Sequence, residues 1–174
     1  TSRAWPARTL TVPIAKEEPL VLELRSFVEC VRARRTPVVS GEAAKHALDL
    51  ATAYTKDRVA FGRPIAKFQA VQVALADAAM EVAAARLLCL QALWMMDNEI
   101  HAAREASMSK VLATEAAVRA CHAAMDVMGA MGLSEEAGVE RCWRDCRMLT
   151  VIDGTSGINR LIAGREITGH AAFI

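Results

Sequence analysis

Apolar residues recur at intervals of three and four over most of this chain, the period of helices packed on one face. Residues 20–33 set Leu20, Leu22, Leu24, Phe27, Val28 and Val31 largely on one helical side, and Pro37 then breaks the pattern. Ser40 opens a second helix with the apolar set Ala44, Ala47, Leu48 and Ala51, and Gly62 and Pro64 mark its end. Pro64 suits the first turn of a third helix, where a missing N–H loses no bond. That helix is predicted over about 65–97. Its polar residues Gln72, Asp77, Glu81, Arg86 and Gln91 leave a wide apolar surface, which calls for burial on more than one side. A fourth helix is predicted over about 100–128, and no Gly or Pro interrupts 65–128. A turn near Asp97–Glu99 folds the two into a long antiparallel hairpin. Gly129, Gly132 and Gly138 bracket a loop. A short helix (139–147), a turn at Asp153–Gly154 and a last helix (about Thr155–Ile167) follow, with Thr155 or Ser156 as its cap. Upstream, residues 9–14 read as a short edge strand, since Pro13 excludes a central position. The expected fold is all-α, an antiparallel four-helix bundle.

Composition agrees. The chain has 174 residues, 53% hydrophobic and only 5% aromatic, which excludes a disordered chain and argues against a sheet protein. Its net charge is +1, with no basic stripe beyond Arg32, Arg34 and Arg35, so a nucleic-acid partner is not expected. No charge-free run of 18 apolar residues occurs, so no membrane span is expected. The chain starts at Thr1 without a signal-peptide pattern, and the missing initiator Met reads as processing or excerption. Five scattered cysteines fit free thiols in a reducing compartment, cytoplasmic or, in a eukaryote, the mitochondrial matrix.

Taken singly, the polar residues suggest little chemistry. No two histidines have HExxH spacing, and no zinc site is expected. Cys142 and Cys146 share a helix face, which a metal can use but which two small residues at a helix contact explain more simply. The eight methionines read as core filler. Gly129–Gly132 reads as a helix end, and Asp153 as a residue accepting hydrogen bonds within its own turn.

Together, several separated segments carry more. They are Arg58-Val-Ala-Phe61-Gly62-Arg-Pro64-Ile, Phe68-Gln69-Ala-Val-Gln72, Glu105-Ala-Ser-Met-Ser-Lys110 and Val127-Met-Gly129-Ala-Met-Gly132, then Val139-Glu140-Arg141, Arg144-Asp145, Asp153-Gly-Thr155-Ser156, Arg160-Leu-Ile and Gly164-Arg165. In order and spacing this set resembles the C-terminal helical domain of the flavin-dependent acyl-CoA dehydrogenases, over roughly residues 45–174. The ending Ile167–Phe173 is similar to the glutaryl-CoA dehydrogenase branch.

The resemblance implies FAD as cofactor, an acyl-CoA thioester as substrate, and an electron-transfer flavoprotein or another acceptor as partner. It also implies a homodimer or homotetramer. The family's base is a Glu at the position of Asp153, whose side chain is one methylene shorter, about 1.5 Å of reach. Three outcomes follow: Asp153 is the base in a tightened site, the base lies outside this chain, or the site is inactive. Arg58 and Phe61 match residues that meet FAD across a dimer interface, and a guanidinium there suits the pyrophosphate. Phe68 and Gln69 match a further cofactor-contacting segment. Gly129 and Gly132 match glycines near the adenosine, although Asp126 replaces a usual Gln and Ala130 a usual Gly. Thr155 and Gly157 match a flavin-contacting stretch, with Gly157 in place of a bulkier polar residue. Arg165 is assigned to the substrate end. The family's N-terminal helical and middle β-domains have no counterpart in this chain, so the chain alone is expected to be inactive. A non-catalytic bundle that serves packing or subunit association is the alternative.

The start of the chain resembles a different family. Lys16-Glu-Glu-Pro-Leu20, Leu24, Phe27–Val31, Pro37–Glu42 and Ala47-Leu-Asp-Leu50 are similar to the C-terminal tail of glucose–fructose oxidoreductase-type NAD(P)-dependent dehydrogenases. Residues 1–46 are therefore expected to be an extension of that type and 47–174 the acyl-CoA dehydrogenase domain, in a chimeric chain. NAD(P)-dependent sugar chemistry is the remaining alternative, with no nucleotide fingerprint to carry it.

Overall fold

The computed structural model describes residues 42–172. The expected edge strand at 9–14, the helix at 20–33 and the residues upstream of 42 lie outside them. Five α-helices follow one another: α1 (Glu42–Asp57), α2 (Gln69–Asp97), α3 (Ala103–Met128), α4 (Val139–Leu149) and α5 (Ser156–Thr168). Two-residue strands β1 (Val59–Ala60) and β2 (Arg63–Pro64) pair antiparallel between α1 and α2, with Val59 opposite Pro64. Short 3-10 turns span Ile65–Lys67 and Gly129–Leu133. The all-α bundle expected from the sequence is the fold of the described residues. Among them no helix is long and apolar enough to cross a membrane.

Helix α3 is the axis, and α1, α2, α4 and α5 all pack on it. Its buried residues are mostly small: Ala106, Ser107, Ser109, Ala116, Ala117, Ala120, Cys121 and Ala124. Small side chains let helix backbones approach closely. The neighbours match this. Helix α1 buries Ala44, Ala47, Ala51 and Thr55, spaced three and four apart along one face. Helix α2 buries only Ala78, Ala85 and Ala92, seven residues apart, against α3. The register of α2 on α3 is marked by an ion pair from Arg119 to Glu81 at 2.6 Å. Helix α4 buries Val139, Cys142, Cys146 and Leu149. Val139 is the largest hydrophobic residue that is completely enclosed.

Two expectations are corrected. Pro64 does not open α2, but precedes a 3-10 turn. It ends β2 with ψ 137°, and α2 starts only after the 3-10 turn, with extended Phe68 at its N-cap. The physical reason is the turn before it: Phe61 (φ 51°) and Gly62 (φ 77°) are both left-handed, which reverses the chain into a hairpin. The expected two-sided burial of α2 is also not met among the described residues. Val73, Met80, Leu87 and Trp94 recur every seven residues and are 56%, 62%, 68% and 60% exposed. The apolar surface is present, but these residues of the chain do not cover it.

Candidate functional site

The Asp153 turn is built from three elements. Helix α4 unwinds after Leu149, where Val151 and Ile152 donate their N–H groups to Met148 O. Asp153 (φ 59°) and Gly154 (φ 83°) are then both left-handed. Aspartate is one of the few non-glycine residues that tolerate that region. Ser156 N–H closes the loop on Thr150 O at 3.2 Å. Thr155 caps α5 as expected, its hydroxyl accepting from Ile158 N–H at 3.3 Å. The Gly154 carbonyl is the hub: it accepts from Lys110 Nζ at 2.5 Å and from Asn159 Nδ2 at 2.9 Å. Asn159 is fully buried, whereas Asp153 is exposed.

Thr155 and Gly157 line an open cleft of about 370 Å³ between α3, α4 and α5, with Arg119, Arg147 and Glu115 around them. Arg147 also holds the Thr150 hydroxyl. Burial pushes the Glu115 carboxyl up, but its hydrogen bond to Arg160 and the nearby Arg119 hold it below the ordinary range. On the other side of Glu115 lies a second, more apolar cleft of about 290 Å³ walled by Leu88, Met108, Val111 and Leu112.

Arg58, Phe61, Phe68 and Gln69 come together elsewhere, at the hairpin. Phe61 is 96% exposed, and its ring meets Phe68 edge-on at 6.1 Å. Arg63 lies over the Phe68 face at 4.3 Å, a cation–π contact. Arg58 O accepts from Ile65 N–H at 2.8 Å, so the Arg58 backbone is fixed while the residue is exposed. Because α2 and α3 are antiparallel, the start of α2 lies at the same end as the close of α3, where Gly129 and Gly132 sit. Gly129 has φ 59° and ψ −135°, open only to glycine. Gly132 is small for a local reason: a Cβ there would stand 2.7 Å from Met125 Cα and O. Asp126, the unusual acid of this segment, lies 3.6 Å from His122.

The predicted residues thus form two groups. Lys110, which holds the Asp153 turn, is separated from Met128 by eighteen residues of α3, about 27 Å. Arg165 joins neither. It lies in the last turn of α5, nine residues beyond Ser156 or about 14 Å along the helix, beside Glu166 at 3.3 Å. Glu166 in turn meets His101 at the α2–α3 turn. Lys110 and Asn159 received no role from the sequence. Lys110 ends the segment Glu105–Lys110, but nothing in its spacing announces a contact 44 residues away. Among the described residues no cluster of His, Cys, Asp or Glu could hold a metal ion.

The residues at both groups fit a flavin dinucleotide. A nearly bare phenylalanine backed by a second ring offers a surface for a flat aromatic group. A glycine turn and a cleft with two arginines offer backbone approach and positive charge.

Comparison with known proteins agrees. The family described as acyl-CoA dehydrogenase, C-terminal domain, matches residues 26–168, a span that begins inside the stretch expected to belong to a second family. The probable acyl-CoA dehydrogenase YngJ of Bacillus subtilis is 44% identical over 124 residues, covering 71% of this chain and 33% of that protein. The crystal structure of glutaryl-CoA dehydrogenase from Mycobacterium smegmatis superposes with a TM-score of 0.73 at 33% identity, covering 76% of this chain and 34% of that one. An FAD complex of PigA superposes at 0.69 with 27% identity, covering 71% and 32%. The chain therefore spans about a third of the length of these relatives. By sequence and by fold alike, it belongs to the acyl-CoA dehydrogenase family and carries that family's C-terminal domain.

Proposed function

We propose that this chain contributes the C-terminal half of a flavin site and the proton-abstracting carboxylate of an enzyme that dehydrogenates acyl-CoA thioesters between the α and β carbons. The observation that carries the reading is the Asp153 turn, a carboxylate-bearing loop held from two helices, whose flanking residues Thr150, Val151 and Thr155 line a cleft together with Gly157. Bound FAD would supply the hydride acceptor for the β-hydrogen. Asp153 takes the α-proton from a backbone position that the hydrogen bonds of its turn hold in place. Thr155 and Gly157, which line the cleft, would hold the flavin side of the cofactor. Arg58, Phe61, Phe68, Gln69, Gly129 and Gly132 would hold the remainder of a cofactor shared with a second subunit, which accounts for the two separate groups on one chain. Arg165 serves the substrate end. The proposed partner is an electron-transfer flavoprotein or similar acceptor, which would take the electrons onward, in the cytoplasm or mitochondrial matrix.

In the full-length enzyme, Asp153→Asn should abolish acyl-CoA-dependent flavin bleaching and retain bound flavin. Unchanged bleaching would remove Asp153 from the mechanism. A simpler test mixes the purified chain with FAD and looks for a perturbed flavin spectrum that survives gel filtration.

The second reading is an assembly module without chemistry, and the exposed stripe Val73, Met80, Leu87 and Trp94 favours it. Absence of retained flavin together with stable self-association would select it. The junction near residue 46 remains part of the proposal. YngJ aligns over 124 residues, close to the length of 47–174, whereas the family match starting at residue 26 weighs against a junction there. One uninterrupted family in the genomic sequence upstream of Thr1 would remove it.

A further inference from the structure

We propose that Lys110 and Asn159 are positioning residues that lock the Asp153–Gly154 turn and thereby aim the Asp153 carboxylate; this rests on the reading of Asp153 as the base. Asp153 and Gly154 are successive left-handed residues, a conformation open to an Asp-Gly pair, and the surroundings anchor it. Here they do so at one atom. Gly154 O accepts a charge-assisted bond from Lys110 Nζ, carried by the central helix, and a second bond from Asn159 Nδ2, carried by the first turn of α5. The same Asn159 amide reaches Thr155 O at 3.3 Å, tying the turn to the cap of the next helix. A carbonyl held from two directions does not rotate freely, so the Gly154–Thr155 peptide is fixed relative to both α3 and α5, and Asp153 is attached to it through one residue. Gly154 leaves little slack: a Cβ there would come within 3.1 Å of Asn159 Nδ2.

This clamp answers a need that the sequence exposes. An aspartate reaches about 1.5 Å less far than a glutamate, and an error of about 1 Å in a reacting group lowers a rate by about a hundredfold. A short side chain has few torsions with which to correct its own placement. Its backbone must then be set accurately, and Lys110 and Asn159 set it.

The reporter is the Ser156 N–H, whose bond to Thr150 O closes the turn. Its hydrogen exchange is measured by NMR in the full chain. Lys110→Met should speed that exchange by at least about tenfold, the scale expected for a lost hydrogen bond to a charged group, with the amides in the middle of α2 unaffected. Lys110→Arg should restore it. Asn159→Leu, which keeps the volume and removes the donor, should act in the same direction. In the full-length flavoenzyme, Lys110→Met should lower kcat for flavin reduction by about ten- to a hundredfold while KM stays within about twofold. Unchanged Ser156 exchange in both Lys110→Met and Asn159→Leu would overturn the clamp whatever Asp153 does. Faster exchange with unchanged kcat would overturn its part in aiming the carboxylate. Failure of the base reading is separate, because it shows as full bleaching by Asp153→Asn.

Discussion

Nη2 of Arg160 stands 2.7 Å from both carboxylate oxygens of Glu115, joining α5 to α3 on the wall between the two clefts. The folded state holds the Glu115 carboxyl below its ordinary value despite partial burial. The sign follows from that direction. The contribution to stability is present above the unfolded carboxyl value of about 4.3, and it is lost as pH falls through the lower folded value. Arg160→Ala should therefore flatten the acid limb of the stability profile and destabilise the chain by about 0.5–1 kcal/mol at neutral pH. Urea unfolding between pH 3 and 7 checks both, and an acid limb as steep as that of the wild type would refute the assignment.

Two glycines should respond to alanine with opposite signs. Gly132→Ala drives a methyl to 2.7 Å from the Met125 backbone, which cannot rotate aside. A loss of about 1–3 kcal/mol is expected, as for other overpacked sites. Gly164 lies within α5, with nothing within 4 Å of a built Cβ. Gly164→Ala should stabilise by about 0.5–1 kcal/mol through helix propensity alone. Thermal or chemical denaturation of the pair settles both.

The thiol of Cys121 donates to Cys146 Sγ at 3.7 Å, and both residues are fully buried. That bond and burial push the Cys121 thiol up, and burial does the same for Cys142. The thiolate is the reactive form. Iodoacetamide at pH 8 should leave both unmodified in the folded chain and label both in denaturant. Peptide mass spectrometry reads the sites, and rapid labelling of native Cys121 would contradict the packing.

Leu87 and Trp94 should mark an association surface. They are 68% and 60% exposed on α2, so changing them leaves the enclosed core intact. Light scattering should find at least a dimer for the chain as it stands and a monomer for Leu87→Lys with Trp94→Lys. Thermal stability at low concentration should change by no more than about 0.5 kcal/mol per site. A monodisperse monomer of the unaltered chain would end the idea.

Much of the bundle was legible because its signals are local. The breaker-free run from 65 to 128 yields α2 and α3. They turn at Asn98 and Glu99, the latter left-handed at φ 58°. The Thr155 cap follows from side-chain chemistry one helical turn away, and the start of α4 from the left-handed Gly138 before it, while its end lies two residues beyond the expected 147. What stayed hidden is relational. Periodicity shows that Leu87 and Trp94 are apolar, not which surface covers them. The hairpin at Phe61–Gly62 depends on backbone sterics that carry no period. Cys146 shares a face with Cys142, yet its contact is Cys121, brought in by helix packing. At the candidate site, Asp153 and Thr155 were readable because a motif surrounds them. Lys110 and Asn159 were not, because a carbonyl accepts from any donor that the fold delivers, and delivery is tertiary.

Helix α3 carries Lys110 near one end and passes into Gly129 at the other without a break. The spacing of the two groups is therefore a residue count, not an adjustable packing distance. Removing four residues between them would shorten the span by about 6 Å and turn the far end by about 40°. Insertions and deletions within 111–128 should thus be far less tolerated than substitutions, and the helix acts as a ruler whose length is inherited whole.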